Sequence, residues 1–172
     1  GWGSGVVEKQ FSGPSAPEVV PFFIDSTLAA IERAQQDMRP GAFTTLSVRA
    51  PAFIRNRLVG DKGKVDDELV IVLFSRNNKI DAILATFSAH ATTLSGKNLS
   101  FSGDYPGYFA RKIENHLDGL VIFAAAGLGN HSYRSTGKDF ARAQYIGEGL
   151  ADSLLNHLPS SGFVNSVRLQ SL

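Results

Sequence analysis

Three short segments of this 172-residue chain hold residue types that do chemistry. In Phe87-Ser88-Ala89-His90-Ala91-Thr92-Thr93 an apolar run delivers an imidazole among small and hydroxylic residues. A His at a strand end is held rigidly while the loop after it admits a ligand, so His90 could bind a metal or shuttle a proton. The structural alternative is a His hydrogen-bonded to a neighbouring loop. In Ala126-Gly127-Leu128-Gly129-Asn130-His131-Ser132-Tyr133-Arg134 a Gly-rich turn follows a second apolar run. Such a turn can offer backbone N–H groups to an anion or oxyanion, with Ser132 at the mouth of a sheet. A plain strand-to-helix connection would look the same. The third segment is Ile54-Arg55-Asn56-Arg57-Leu58, where the Arg57 guanidinium could hold a carbonyl or carboxylate, or simply be solvated.

Other motifs are weaker. Gly137-Lys138 is followed by Asp139, so it is no Walker loop, and Gly127-x-Gly129 meets Ser132 where a dinucleotide fingerprint needs Gly or Ala. Asp104 stands where a helix cap or first-turn acid belongs. His116 and His157 fall near helix ends, where they complement the dipole. The four histidines form no close-spaced ligand pair.

The elements that must position these residues follow from periodicity. Apolar spacing at Phe23, Leu28, Ile31 and Ala34 predicts a helix over about 18–38, ended by Pro40-Gly41. Residues 43–48 alternate as a strand, and 51–64 read as an exposed basic loop. The runs 69–74 and 80–87, separated by a segment containing Asn77-Asn78, predict a β-hairpin. A polar loop over 89–103, a helix over 108–117 stopped by Asp118-Gly119, a strand over 120–125, a helix over 140–158 and a last strand over 163–169 complete the reading. Segments 120–126, 139–158 and 163–169 have the lengths of a βαβ crossover. The expected fold is α/β: a mixed parallel and antiparallel sheet with helices packed on its faces. One domain over 1–172 is expected, with 1–17 irregular apart from a short strand around Val6-Val7.

Composition excludes several classes. With 17 basic and 16 acidic side chains the formal charge is +1, so no global field attracts nucleic acid. No apolar run reaches the roughly 18–20 residues that span a bilayer, so no transmembrane segment is expected. Residues 1–17 lack the basic-then-apolar pattern of an export signal. Without cysteine there is neither a disulfide framework nor a thiolate metal site.

Taken in order, the segments resemble the N-terminal domain of the neutral, non-lysosomal ceramidase family, zinc-dependent amidases that cleave the N-acyl bond of ceramide. Ser12-Gly13-Pro14 is similar to the end of the family's His-Thr-His-Ser-Gly-Pro segment, and Ala29-Ala30-Ile31-Glu32-Arg33-Ala34 to the helix after it. Asn56-Arg57 resembles its Asn-Arg pair, and Val65-Asp66-Asp67-Glu68-Leu69 its acidic lead-in to the hairpin. The His90 segment is similar to its zinc-ligand motif, Ser102-Gly103-Asp104-Tyr105-Pro106-Gly107 to its Ser-Gly/Ala-Asp-x-x-Gly motif, and Gly129-Asn130-His131-Ser132 to its Gly-Asp-Val-Ser segment.

The resemblance implies that His90 is a zinc ligand, Ser132 the active-site serine and Arg57 a substrate-side arginine. Zinc would lower the pKa of a bound water, whose hydroxide attacks the amide while nearby donors hold the oxyanion. It further implies a lipid or N-acyl substrate, an apolar groove for the acyl and sphingoid chains, a secreted, periplasmic or cell-surface location, and the remainder of a larger ceramidase-like chain as partner. This sequence departs from the family where Lys9 and Phe11 replace the two histidines of His-Thr-His, and where Asn130 replaces Asp. The family's other zinc ligands, a Glu and a Tyr, come from sequence beyond position 172. Two further readings stand beside this one. The chain could be a lipid-binding relative without catalysis, or an unrelated α/β domain that binds an anion or nucleotide through the Gly127–Ser132 loop.

Overall fold

The computed structural model describes residues 5, 6, 10 and 16–167. The chain divides into two compact units, Gly1–Pro40 and Gly41–Leu172. Lys9, Phe11, Ser12-Gly13-Pro14 and Val7 lie outside the described residues, so the expectations for the His-Thr-His position and for a strand at Val6-Val7 fall there; Val6 itself is helical. The first unit carries α1 (Val19–Gln36), the helix anticipated over 18–38, and none of its residues is buried.

The second unit contains β1 (Ala42–Arg49), a single 3-10 turn (Pro51–Phe53), β2 (Ile54–Asn56), β3 (Glu68–Arg76), β4 (Lys79–Phe87), α2 (Asp104–Leu117), β5 (Leu120–Ala125), β6 (His131–Tyr133) and α3 (Asp139–Leu155). Four strands form one sheet in the order β1-β3-β4-β5, and β2 pairs with β6 in a separate ladder. β1 and β4 flank β3 antiparallel, whereas β4 and β5 run parallel. The fold is therefore α/β with a mixed sheet. The β3–β4 turn places Asn77 and Asn78 at φ 54° and 62°. Asparagine tolerates this left-handed conformation, and two such residues in succession match the strand twist.

The core takes alternate residues of the strands and every third or fourth residue of the helices. Leu69, Ile71 and Leu73 of β3, Ile83 and Phe87 of β4, Tyr105, Phe109 and Ile113 of α2, and Ile146, Leu150 and Leu154 of α3 form one cluster. Each large aliphatic side chain so buried contributes about 1.5–3 kcal/mol relative to exposure. Phe123 of β5 meets Phe109 and Tyr105 edge-on, with ring centroids 5.1 and 5.6 Å apart.

Three expectations are corrected. Residues 51–64 are not a uniformly exposed loop, since Ile54 and Asn56 are buried and β2 pairs with β6. A three-residue strand is too short for alternation to reveal it. The Gly-rich turn accordingly leads into β6 before α3 rather than directly into a helix. The parallel crossover is β4–α2–β5, not 120–126 with 139–158 and 163–169. After α3 the chain returns with Val164 bridged antiparallel to Phe43 of β1. Periodicity identifies an element but not its neighbour in the sheet. Among the described residues no helix is long and apolar enough to cross a membrane.

Candidate functional site

Parallel pairing brings the C-terminal ends of β4 and β5 side by side, with Phe87 opposite Ala125. The Ala126 N–H continues the contact by donating to the Phe87 carbonyl at 3.2 Å. Hence the His90 segment, which leaves β4, and the Gly127–Ser132 segment, which leaves β5, emerge from one sheet edge. This is where open α/β sheets gather ligand-binding loops.

A chain of hydrogen bonds ties the two segments together. The buried Ser88 hydroxyl donates to Asp66 Oδ2 at 2.7 Å. The Asp66 backbone N–H donates to His131 Nε2 at 3.0 Å, and His131 Nδ1 lies 2.8 Å from the Gly127 carbonyl. Because Nε2 accepts the Asp66 hydrogen bond, the ring hydrogen sits on Nδ1 and is donated to the Gly127 carbonyl. His131 is thus a tie between loops. Sequence reasoning passed over His131, Asp66 and Ser88, whose one available signal was membership in longer polar segments.

His90 differs from the bonded histidine weighed as its alternative. Its ring is half-buried and makes no side-chain hydrogen bond to the described residues, while its carbonyl accepts the Thr92 N–H at 3.0 Å. The loop around it is pinned from α2. The buried Asp104 carboxylate accepts from the Thr93 N–H at 2.9 Å, the Thr93 hydroxyl at 2.8 Å and the Leu94 N–H at 3.4 Å. The Tyr105 hydroxyl donates to the Ala89 carbonyl at 2.5 Å, next to His90. Burial, and secondarily the neighbouring Asp104, push the Tyr105 phenol well above the usual tyrosine range. Asp104 therefore does start a helix, as its sequence position suggests, but its carboxylate serves the 93–94 backbone as well as the Tyr105 N–H.

Ser132 and Arg57 meet through the β2–β6 ladder. Arg55 lies opposite Ser132 and Asn56 opposite His131, and the Arg57 N–H donates to the Asn130 carbonyl at 2.8 Å. Asn56 shapes the turn beyond it. Its Oδ1 accepts from the Leu58 and Val59 N–H groups at 2.9 and 3.2 Å, and its Nδ2 donates to the Lys64 carbonyl at 3.2 Å. Gly63 presses on this side chain so closely that a Cβ there would lie 2.4 Å from it. Arg57 is exposed and Ser132 half-buried. Backbone pairing and the Ser88–Asp66–His131 bonds thus link the segments that carry His90, Ser132 and Arg57, although none of their side chains bonds another.

Catalytic zinc takes three protein ligands, and among the described residues no three His, Cys, Asp or Glu side chains gather to hold an ion. The described residues therefore do not fit a complete zinc site. An anion cradle in the Gly127–Ser132 loop would need backbone alternating between right- and left-handed conformations. Neither Gly127 nor Gly129 adopts positive φ, and the His131 N–H is taken by the Leu128 carbonyl at 2.7 Å.

A mixed α/β sheet with polar loops at the end of a parallel strand pair defines the structural class. No protein-family model matches the chain, and no curated protein matches it. Among solved structures, it is similar to a neutral ceramidase from Pseudomonas aeruginosa, with a TM-score of 0.70 and 20% identity over 84% of this chain and 27% of that one. It is also similar to a ceramidase complexed with C2, with a TM-score of 0.67 and 20% identity over 79% of this chain and 25% of that one. The fold is ceramidase-like. The chain spans about a quarter of the length of the structures it matches.

Proposed function

We propose that this chain forms one wall of a ceramidase-like site that hydrolyses N-acyl amide bonds in ceramide-like lipids, with Ser132, His90 and Arg57 facing the substrate. The observation that carries this reading is that the segments bearing all three positions are linked to one another, by strand pairing and by the Ser88–Asp66–His131 bonds, in a ceramidase-like fold. His90 is the available group in these segments, since its ring has no other partner among the described residues. Arg57 offers a guanidinium for the substrate's polar head, and Ser132 a hydroxyl on the strand paired with β2, which ends just before Arg57. The apolar chains, a secreted, periplasmic or cell-surface location and partnership with the rest of a larger chain belong to the same proposal. So does zinc, for which His90 would supply one ligand.

A non-catalytic lipid-binding relative is the second reading, favoured by His90 standing without two further His, Cys, Asp or Glu side chains gathered around it among the described residues. Calorimetric zinc titration of the chelator-stripped protein, beside His90→Ala, separates the two. Because His90 would supply one ligand of the three that catalytic zinc takes, weak zinc binding that His90→Ala abolishes is the expected result for this chain, with release of fatty acid from N-acyl sphingoid lipids expected once the rest of a larger chain completes the site. Lipid binding with zinc affinity indifferent to His90→Ala would replace the hydrolase with the binding module.

A further inference from the structure

Beside the β2–β6 ladder, Arg55, Tyr133, Arg134, Ser135 and Arg142 line a cavity of about 200 Å³. Three arginines thus line one small space in a chain whose overall charge is nearly balanced. Their partners leave much of that charge uncompensated. Arg142 donates to the Tyr133 hydroxyl at 2.9 Å, to the Gly137 carbonyl at 2.8 and 3.1 Å and to the Thr93 carbonyl at 3.4 Å, and its guanidinium lies 5.3 Å from the centre of the Tyr133 ring. All of these acceptors are neutral. Arg134 pairs with the Asp61 carboxylate, which is largely exposed. Arg55 has neither a side-chain hydrogen bond nor an ion pair among the described residues. The adjoining cavity adds Lys138 and Asp139, whose charges offset each other.

Like charges in one cavity repel, and a bound anion relieves the repulsion. Guanidinium forks match the oxygen spacing of phosphate and carboxylate, and they bind such groups through paired, charge-assisted hydrogen bonds. Arg142, fixed by its neutral acceptors and by the Tyr133 ring, is oriented before any ligand arrives. Arg55 is free to close on one. The volume of about 200 Å³ suits a single oxyanion group. We propose that this cavity is a binding site for a phosphate-class oxyanion, with Arg55 and Arg134 as its adjustable donors and Arg142 as its fixed positive charge. The site is distinct from the Gly127–Ser132 backbone turn, and it stands whether or not the chain is a hydrolase. Arg55 lies directly across the ladder from Ser132, so a bound headgroup would sit within one strand pairing of that hydroxyl.

The test is calorimetric titration of the full chain with inorganic phosphate at fixed ionic strength. Arg55→Ala, Arg55→Lys and the exposed Lys97→Ala are compared, with folding checked by circular dichroism. Saturable binding weakened about tenfold or more in Arg55→Ala, partly retained in Arg55→Lys and unchanged in Lys97→Ala is expected. Absence of saturable binding, indifference to Arg55→Ala or equal loss in Lys97→Ala would overturn the proposal. Vesicles of neutral phosphatidylcholine with and without phosphatidic acid distinguish the source of the oxyanion. Phosphatidic-acid-dependent binding that free phosphate displaces and Arg55→Ala weakens identifies a lipid headgroup, whereas phosphate binding without vesicle binding identifies the free ion.

Discussion

Tyr105 and Asp104 show how adjacent residues can position a loop that neither belongs to. Asp104 takes up the N–H groups of Thr93 and Leu94, and the Tyr105 hydroxyl anchors the Ala89 carbonyl, so the loop bearing His90 is held on both sides. Burial raises the Tyr105 pKa because the phenolate would lose its hydration, and the Asp104 charge adds to the effect. A folded-state value above the unfolded one, which lies near 10, means that this contribution is complete below about pH 10 and is lost as pH rises through the folded value. An ultraviolet titration of the protein minus that of Tyr105→Phe is expected to show no phenolate signal until alkaline unfolding. A phenolate appearing while the fold persists would refute the burial. The same substitution should cost about 1 kcal/mol or more, from the lost bond and the unpaired Ala89 carbonyl.

At the scale of elements, α2 and α3 cross where α3 carries Gly147. A Cβ there would lie 2.3 Å from the Tyr105 carbonyl oxygen and 2.8 Å from the Phe109 nitrogen, both backbone atoms that cannot swing aside. Gly147→Ala gains about 1 kcal/mol in helix propensity but forces the helices apart. Overpacking of this kind costs typically about 1–3 kcal/mol, so urea unfolding is expected to show net destabilisation. A more stable variant would mean that the helices do not approach so closely. Because Tyr105 lies at this crossing, the strain would also reach the His90 loop. The β2–β6 ladder works differently: three residue pairs suffice to join the Arg57 turn to the Ser132 segment, because Asn56 satisfies three backbone groups of the turn from one buried side chain.

Across the whole molecule, burial is concentrated in β3, β4, α2 and α3, while the loops that carry the candidate residues lie at their ends. Native-state hydrogen exchange is therefore expected to be slowest at amides of β3, β4 and α3 and faster by orders of magnitude in 57–64 and 127–130, since exchange follows local opening. Uniform protection across the second unit would contradict this division between core and loops. A rigid core with polar loops at one sheet edge is also the arrangement in which loop sequence can change function without changing fold. For that reason a fold match at 20% identity establishes architecture and leaves activity to experiment.

The sequence by itself determined the elements with strong periodicity: the 69–74 and 80–87 hairpin, its Asn-Asn turn, the helices and the α/β class, because repeated apolar spacing records which face of an element is dry. It also singled out His90, Arg57 and Ser132 by residue type and order. Tertiary structure alone decided that β5 lies parallel to β4, that β2 and β6 exist, and that His131, Asp66 and Ser88 link the loops. It also placed Arg55, Arg134 and Arg142 around one cavity, although they lie up to 87 positions apart in the chain. The physical reason is common to all of these. Pairing partners, short ladders and charge clusters depend on contacts between distant segments, and local spacing carries no record of such contacts.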